Sequence, residues 1–150
     1  METIAIASDH AGLDLKDLLA AQLRVDGFDV LDLGVKDATS VDYPDYADRL
    51  ADALARGPAR RGVLICGTGI GISIAANRHA HVRAALCHDA TTARFCRAHN
   101  DANVLALGAR TTGVEVARDC LKVFLATAFE GGRHARRVDK LARVREPQPG

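Results

Sequence analysis

No excess of either charge marks this chain. Twenty basic residues against nineteen acidic ones leave a formal charge of +1, so no global field points to nucleic acid or to a membrane surface. No apolar run approaches the ~18 residues that a spanning helix needs. The chain enters strand-like sequence directly after Met1-Glu2-Thr3, without a basic leader or a small-residue cleavage site, which predicts a cytoplasmic protein. Cys66, Cys87, Cys96 and Cys120 make no CxxC pair and no dense framework, so reduced thiols are expected rather than disulfides. A zinc site built from Cys87-His88 and Cys96-x-x-His99 would repeat no known ligand spacing, and no metal is expected. Internal repeats and low-complexity segments are also missing. Residues 1–150 read as one domain, with about 146–150 a frayed tail.

What the chain does have is a strict alternation of strand and helix. Thr3 to Ala7 is strand-like, and Ser8-Asp9-His10-Ala11-Gly12 leads into a helix with Leu15, Leu18, Leu19 and Leu23 on one face. Asp29 to Gly34 supplies a second strand, and Val35 to Tyr43 a polar loop. Pro44 opens a helix that Gly57-Pro58 ends. Strands at 62–66, 83–87 and 103–107 follow, separated by helices after Ile74 and over 91–99. A helix from Gly113 to about Phe129 and a basic one from about Arg133 to Arg145 complete the chain. Five strands separated by helices predict an α/β, Rossmann-like, doubly wound parallel sheet with helices on both faces and right-handed crossovers.

The stretch Gly62-Val63-Leu64-Ile65-Cys66-Gly67-Thr68-Gly69-Ile70-Gly71-Ile72-Ser73 carries the most chemistry. Its apolar run reads as a buried parallel strand. The strand ends on a thiol and passes into alternating glycines, where ligands collect in such sheets. The glycines make GxGxG rather than GxGxxG, no acidic residue follows at dinucleotide spacing, and no Gly-Lys-Ser/Thr closes the loop, so no nicotinamide or nucleotide cofactor is expected. The alternative for the glycines is close strand-to-helix packing. For a cysteine ending an apolar strand the alternative is a small buried hydrophobe, and that reading is preferred for Cys87, Cys96 and Cys120. Asp9-His10 after the first strand and His99-Asn100 before the last are expected on, or near, the same sheet edge as Cys66.

Taken together, Ser8-Asp9-His10-Ala11-Gly12, Asp42-Tyr43-Pro44-Asp45-Tyr46, Cys66 to Ser73, His99-Asn100-Asp101-Ala102-Asn103 and Glu130-Gly131-Gly132-Arg133-His134 resemble the type B ribose 5-phosphate isomerases. Relatives in that superfamily act on allose 6-phosphate and galactose 6-phosphate. The resemblance runs from residue 2 to about 145, with the motifs in order. It implies an aldose–ketose isomerase that moves a proton through an enediolate, with Cys66 as the base. A second branch carries a glutamate base where this chain has Ile72, which leaves the proton transfer to Cys66. It further implies that Thr68 and the amides of Gly67, Gly69, Ile70 and Gly71 hold the enediolate oxygens, and that His99 opens the sugar ring.

The same resemblance gives Asp9 and Asn100 contacts to substrate hydroxyls and gives the phosphate to His10, Arg110, Arg133 and Arg137. Arg133 and Arg137 are four apart, so one helical face presents both to one anion. Arg136, Arg143 and Arg145 fall to solvent, and His79, His81, His88 and His134 receive no role. The family implies a homodimer, or a tetramer, with active sites shared between chains; Asn100, Arg110, Arg133 and Arg137 are the candidates to serve across the interface from the thiol, and the sequence does not fix which of them cross. The partner molecule otherwise is a phosphorylated sugar. An isomerase of a six-carbon phosphosugar and a non-catalytic phosphosugar-binding subunit are the open alternatives. A binder needs the cations but not the thiol.

Overall fold

The computed structural model describes residues 1–150. Five parallel strands make one sheet: β1 (Thr3–Ser8), β2 (Asp29–Asp32), β3 (Arg61–Cys66), β4 (Ala84–Leu86) and β5 (Val104–Gly108). Their spatial order is β2-β1-β3-β5-β4. Six helices cover it: α1 (Leu13–Val25), α2 (Tyr43–Arg56), α3 (Ile70–Ala76), α4 (Ala90–Ala98), α5 (Val114–Ala126) and α6 (Arg133–Leu141). The doubly wound sheet read from the sequence is present. None of the helices is long and apolar enough to cross a membrane.

Alternate residues of the central strands feed two cores, as the pleat requires. Ile4, Ile6, Val63, Ile65, Leu105 and Leu107 pack beneath α1, α4 and α5, around Leu19, Leu23, Cys120, Leu121 and the fully buried Phe124. Ala5, Ala7, Leu64 and Cys66 face the other way, against α2 and α3 through Leu50, Ala51 and Ile72. The small residues Ala5 and Ala7 let the second layer approach closely. Each fully buried Leu, Ile or Phe contributes about 1.5–3 kcal/mol by leaving water, so both faces are held. An ion pair pins the edge strand: the Lys16 ammonium, 1% exposed, donates to Asp32 at 2.7 Å and to Asp17 at 2.9 Å.

Several element ends differ from the sequence reading: the helix expected from Ile74 starts at Ile70, and the one expected to reach about Phe129 ends at Ala126. The last helix stops at Leu141 rather than near Arg145, and residues 142–150 are exposed; a basic run that buries only His134 has no apolar stripe to extend it. A single 3₁₀ turn, His10–Gly12, also separates β1 from α1. Asp9 caps it by accepting from the Gly12 N–H at 3.2 Å.

The strand order decides where ligands go. From β1 the chain runs outward to β2, then returns to β3 on the other flank of β1 and continues away. Adjacent strands whose connections leave in opposite directions open a crevice beyond their carboxyl ends. Here those ends carry Asp9 and Cys66.

Candidate active site

Cys66 closes β3 with only 4% of its surface exposed. Its Sγ accepts the Gly69 N–H at 3.1 Å, so an amide of the glycine loop fixes the sulfur in place. Gly69 turns with φ +76° as the residue before α3, a conformation that favours glycine; a Cβ there would also lie 2.6 Å from the Leu86 side chain. The Thr68 Oγ1 accepts the Ile70 N–H at 3.2 Å. Gly108, level with Cys66 on β5, lies beneath the loop, where a Cβ would come 2.5 Å from the Thr68 carbonyl.

Asp9 and His10 flank this loop from β1. The Asp9 N–H donates to the Ile65 carbonyl at 3.2 Å, which places the two strand ends side by side. His10 Nδ1 accepts the Val41 N–H at 3.1 Å. A neutral ring bonded in that way carries its proton on Nε2 and offers it outward as a donor. Arg110 belongs to the same group: its N–H donates to the Gly67 carbonyl at 2.8 Å, and its side chain lies within 3.5–3.7 Å of where a Gly67 Cβ would be. Of the four candidates to cross between chains, Arg110 is thus the one that stands beside its own glycine loop.

His99 and Asn100 stand elsewhere. Helix α4 leaves the carboxyl end of β4, so its last turn returns to the amino edge of the sheet, and His99 follows that turn before β5 begins. The shared edge expected for His99 and Cys66 is thus corrected by the parallel topology. Cys66 pairs level with Gly108 and Gly62 with Val104, so the two edges are about 13 Å apart at ~3.3 Å per residue. At the amino edge His99 stacks on His134, with ring centroids 4.4 Å apart and planes within 14°. Glu130 Oε1 lies 3.4 Å from His99 Nε2 and 3.8 Å from His134 Nε2. His99, Asn100, His134 and Arg137 line one groove of about 290 Å³, and Arg133 stands exposed on the same helix. His134 is held below its ordinary titration range by burial first, then by His99 and Arg133, with Glu130 pulling the other way and Arg137 adding least.

The candidate residues therefore fall into two groups: thiol, glycine loop, Asp9, His10 and Arg110 at the carboxyl edge, and His99, Asn100 and the α6 cations at the amino edge. Sequence reasoning passed over Glu130 and His134. Their i, i+4 spacing was the available signal. It also missed Tyr43, whose ring sits over Gly71 so closely that a Cβ there would lie 2.6 Å from Cζ.

The other thiols are core. Cys87 and Cys96 approach at 3.9 Å, Sγ to Sγ, and both are buried with Cys120. The hydrogen bond to Cys96, then burial, drives the Cys87 thiol up, while burial above all pushes Cys120 up to about 11. The same bond lowers Cys96, while Cys87 and Cys120 stay protonated, and all three pack as small buried groups.

The chain is similar to known proteins over nearly its whole length. Residues 4–141 match the family model described as Ribose/Galactose Isomerase. Ribose-5-phosphate isomerase B of Escherichia coli is 43% identical over 146 residues, covering 97% of this chain and 98% of that one. The D-erythrulose-4-phosphate isomerase of Pectobacterium atrosepticum is 43% identical over 143 residues, covering 94% and 93%. Among solved structures, ribose-5-phosphate isomerase B of Clostridium thermocellum superposes with a TM-score of 0.92 at 48% identity, over 93% of this chain and 95% of that chain. An intact thiol and glycine loop at the switch point, joined to likeness of that extent, place this chain in the ribose/galactose isomerase family.

Proposed function

We propose that this chain interconverts ribose 5-phosphate and ribulose 5-phosphate, in active sites that each join two copies of it. The observation that carries the reading is the Cys66 sulfur, fixed by the Gly69 N–H at 3.1 Å beside a loop of further amides. The Cys66 thiolate takes the proton from C2 of the open-chain aldose. Charge passes onto O1, where the N–H groups of residues 67–71 and the Thr68 hydroxyl stabilise the enediolate. The thiol then returns the proton to C1 as the O2 proton passes to O1, and the 2-ketose results. No electrons leave the substrate.

Ring opening precedes this and needs an acid–base group, the work given to His99 of a second copy. The 13 Å estimated between the edges is far beyond the ~3–3.5 Å at which reacting groups work, which favours sharing over a site within one chain. The Arg133 and Arg137 guanidiniums of that copy, with His10 and Arg110 beside the thiol, make a cationic clamp for the phosphate. Asp9 and Asn100 take substrate hydroxyls. Ile70 and Ile74, one turn apart on α3, are 52% and 64% exposed, a face that suits contact with a second copy. A homodimer is the smallest assembly of this kind.

The test is Cys66→Ala. A positioned base contributes roughly 10²–10⁴, so kcat should fall by at least that range while binding of a phosphorylated analogue changes little. Arg137→Ala should show the opposite balance. Alkylation should inactivate the wild type with substrate protecting, and Cys87→Ala and Cys120→Ala should remain active. A folded Cys66→Ala protein at near wild-type rate removes the thiol from the mechanism. The relative named for a four-carbon phosphosugar makes chain length the second question, answered by comparing kcat/KM for four-, five- and six-carbon aldose and ketose phosphates.

A further inference from the structure

The group His99, Glu130 and His134 holds more than acid–base potential. Each offers one ligand atom, and all three atoms lie within 4.8 Å of one another. Two of the separations are 3.4 and 3.8 Å. A tetrahedral zinc ion with bonds of ~2.0–2.1 Å to nitrogen and oxygen sets its ligand atoms about 3.3–3.4 Å apart, so the cluster is close to that spacing before any ion enters. Imidazole χ2 wells are broad, so ion binding would turn the two rings out of their near-parallel stack to aim both Nε2 lone pairs at one point.

The supports of the cluster are firm. His99 is held by its N–H to the Phe95 carbonyl at 2.9 Å and by the Phe95 ring at 4.8 Å. The Glu130 N–H donates to the Ala98 carbonyl at 3.0 Å, which locks the carboxylate's backbone to the end of α4. The His134 side chain is 10% exposed, whereas those of His99 and Glu130 are 36% and 55% exposed. One flank is therefore closed and the other open to an arriving ion. Two imidazoles and a carboxylate suit zinc, cobalt or nickel better than calcium or magnesium, which prefer oxygen alone.

We propose that His99, Glu130 and His134 form a binding site for a zinc-class divalent cation, and that occupancy withdraws His99 from ring opening. The first half stands on geometry alone; the second rests on the role given to His99 above. Three protein ligands leave a fourth position open to water or a sugar hydroxyl. The cation is an inhibitor at this site, since a metal-bound Nε2 neither accepts nor donates a proton.

Chelator-stripped full-length protein is titrated with Co²⁺ and followed by visible absorption, then with Zn²⁺ by calorimetry. One ion per chain is expected. Glu130→Gln and His134→Gln should each weaken binding by roughly 10–100-fold or more, the loss that even an outer-shell change causes, with unchanged melting to exclude misfolding. Cys66→Ala and Cys96→Ala should bind as the wild type does. Absence of saturable Co²⁺ binding up to millimolar ion, or equal affinity in the Glu130 and His134 variants, overturns the site. Loss of binding in the cysteine variants does so too. In assays, Zn²⁺ should inhibit wild type reversibly, and His134→Gln should need 10–100-fold more. Stoichiometric binding without inhibition overturns the second half and, with it, the role of His99, while leaving the metal site standing.

Discussion

Sharing of the proposed site between two copies has a quantitative consequence for mixed assemblies. Consider one chain with Cys66→Ala and another with His99→Asn. Within one chain, Cys66 is level with Gly108, while His99 lies before Val104, and the intervening four steps put them about 13 Å apart. Each variant alone should be nearly inactive, by roughly 10²–10⁴ for loss of a positioned acid or base. After subunit exchange at equal concentration, random pairing in a two-fold assembly makes about half of the dimers hybrid. A hybrid holds one site with both lesions and one with neither. About one quarter of all sites are then intact, so activity per chain should rise from near zero to about 25% of wild type. The assay is kcat against time after mixing, with exchange followed independently by mass spectrometry of differently tagged chains. Confirmed exchange without recovered activity would refute the two-copy site. A double variant carrying both changes on one chain, mixed with wild type, gives the control: there, each site of a hybrid carries one lesion, and the hybrids lose activity.

Other outcomes follow from single contacts. Gly108→Ala should lower kcat with the fold intact, because its Cβ would come 2.5 Å from the Thr68 carbonyl and move the glycine loop; unchanged kcat would mean that loop position is unimportant. Asp32→Ala should cost about 3 kcal/mol in urea unfolding, since it leaves the Lys16 ammonium, 1% exposed, with only the exposed Asp17; a loss below about 1 kcal/mol would show that Lys16 finds water. Glu2 titrates below its ordinary 4.5, chiefly through its hydrogen bond from Arg61. The unfolded chain therefore binds more protons below pH 4.5, and the contribution of Glu2 is present above that value and lost as pH falls beneath it. Glu2→Gln should flatten the melting temperature against pH in that acid window and nowhere else.

Local pattern revealed most of the fold and little of its geometry. The i, i+3, i+4 leucines of α1, Pro44 near the start of α2, and the β-branched run of β3 each act over a few residues, so the elements were legible in the sequence. The insertion of β5 between β3 and β4 was not, because strand order depends on packing between segments far apart in the chain. That order matters for the site. Asp9 and Cys66 follow their strands and so reach the carboxyl edge by rule, whereas His99 precedes a strand and so reaches the amino edge by the same rule. Arg110 follows β5, and its proximity to Gly67 was available from that fact. Glu130 escaped notice because its partner His99 is supplied by another helix, and nothing in the local sequence links α4 to the α5–α6 turn.

A parallel sheet limits what one copy of this chain does. Every strand delivers its functional side chains at its carboxyl end, and every helix returns the chain to the amino edge. A chemistry needing a thiolate and an imidazole from those two places must bend the molecule, extend a long loop, or pair the carboxyl edge of one copy with the amino edge of another. Neither Cys66, which closes β3, nor His99, which caps α4, sits on a loop free to span that gap. The segments after β3 and β5 turn into helices within a few residues, and the tail beyond Leu141 is exposed and irregular. Pairing two copies about a two-fold axis would close both sites at once, because each copy would both lend and receive a His99. The exposed Ile70 and Ile74 of α3 give that pairing an apolar surface to bury. Replacing both with aspartate should therefore abolish activity and association together while leaving the monomer folded. Retained activity in a monomeric Ile70→Asp, Ile74→Asp variant would show that one chain completes the site alone.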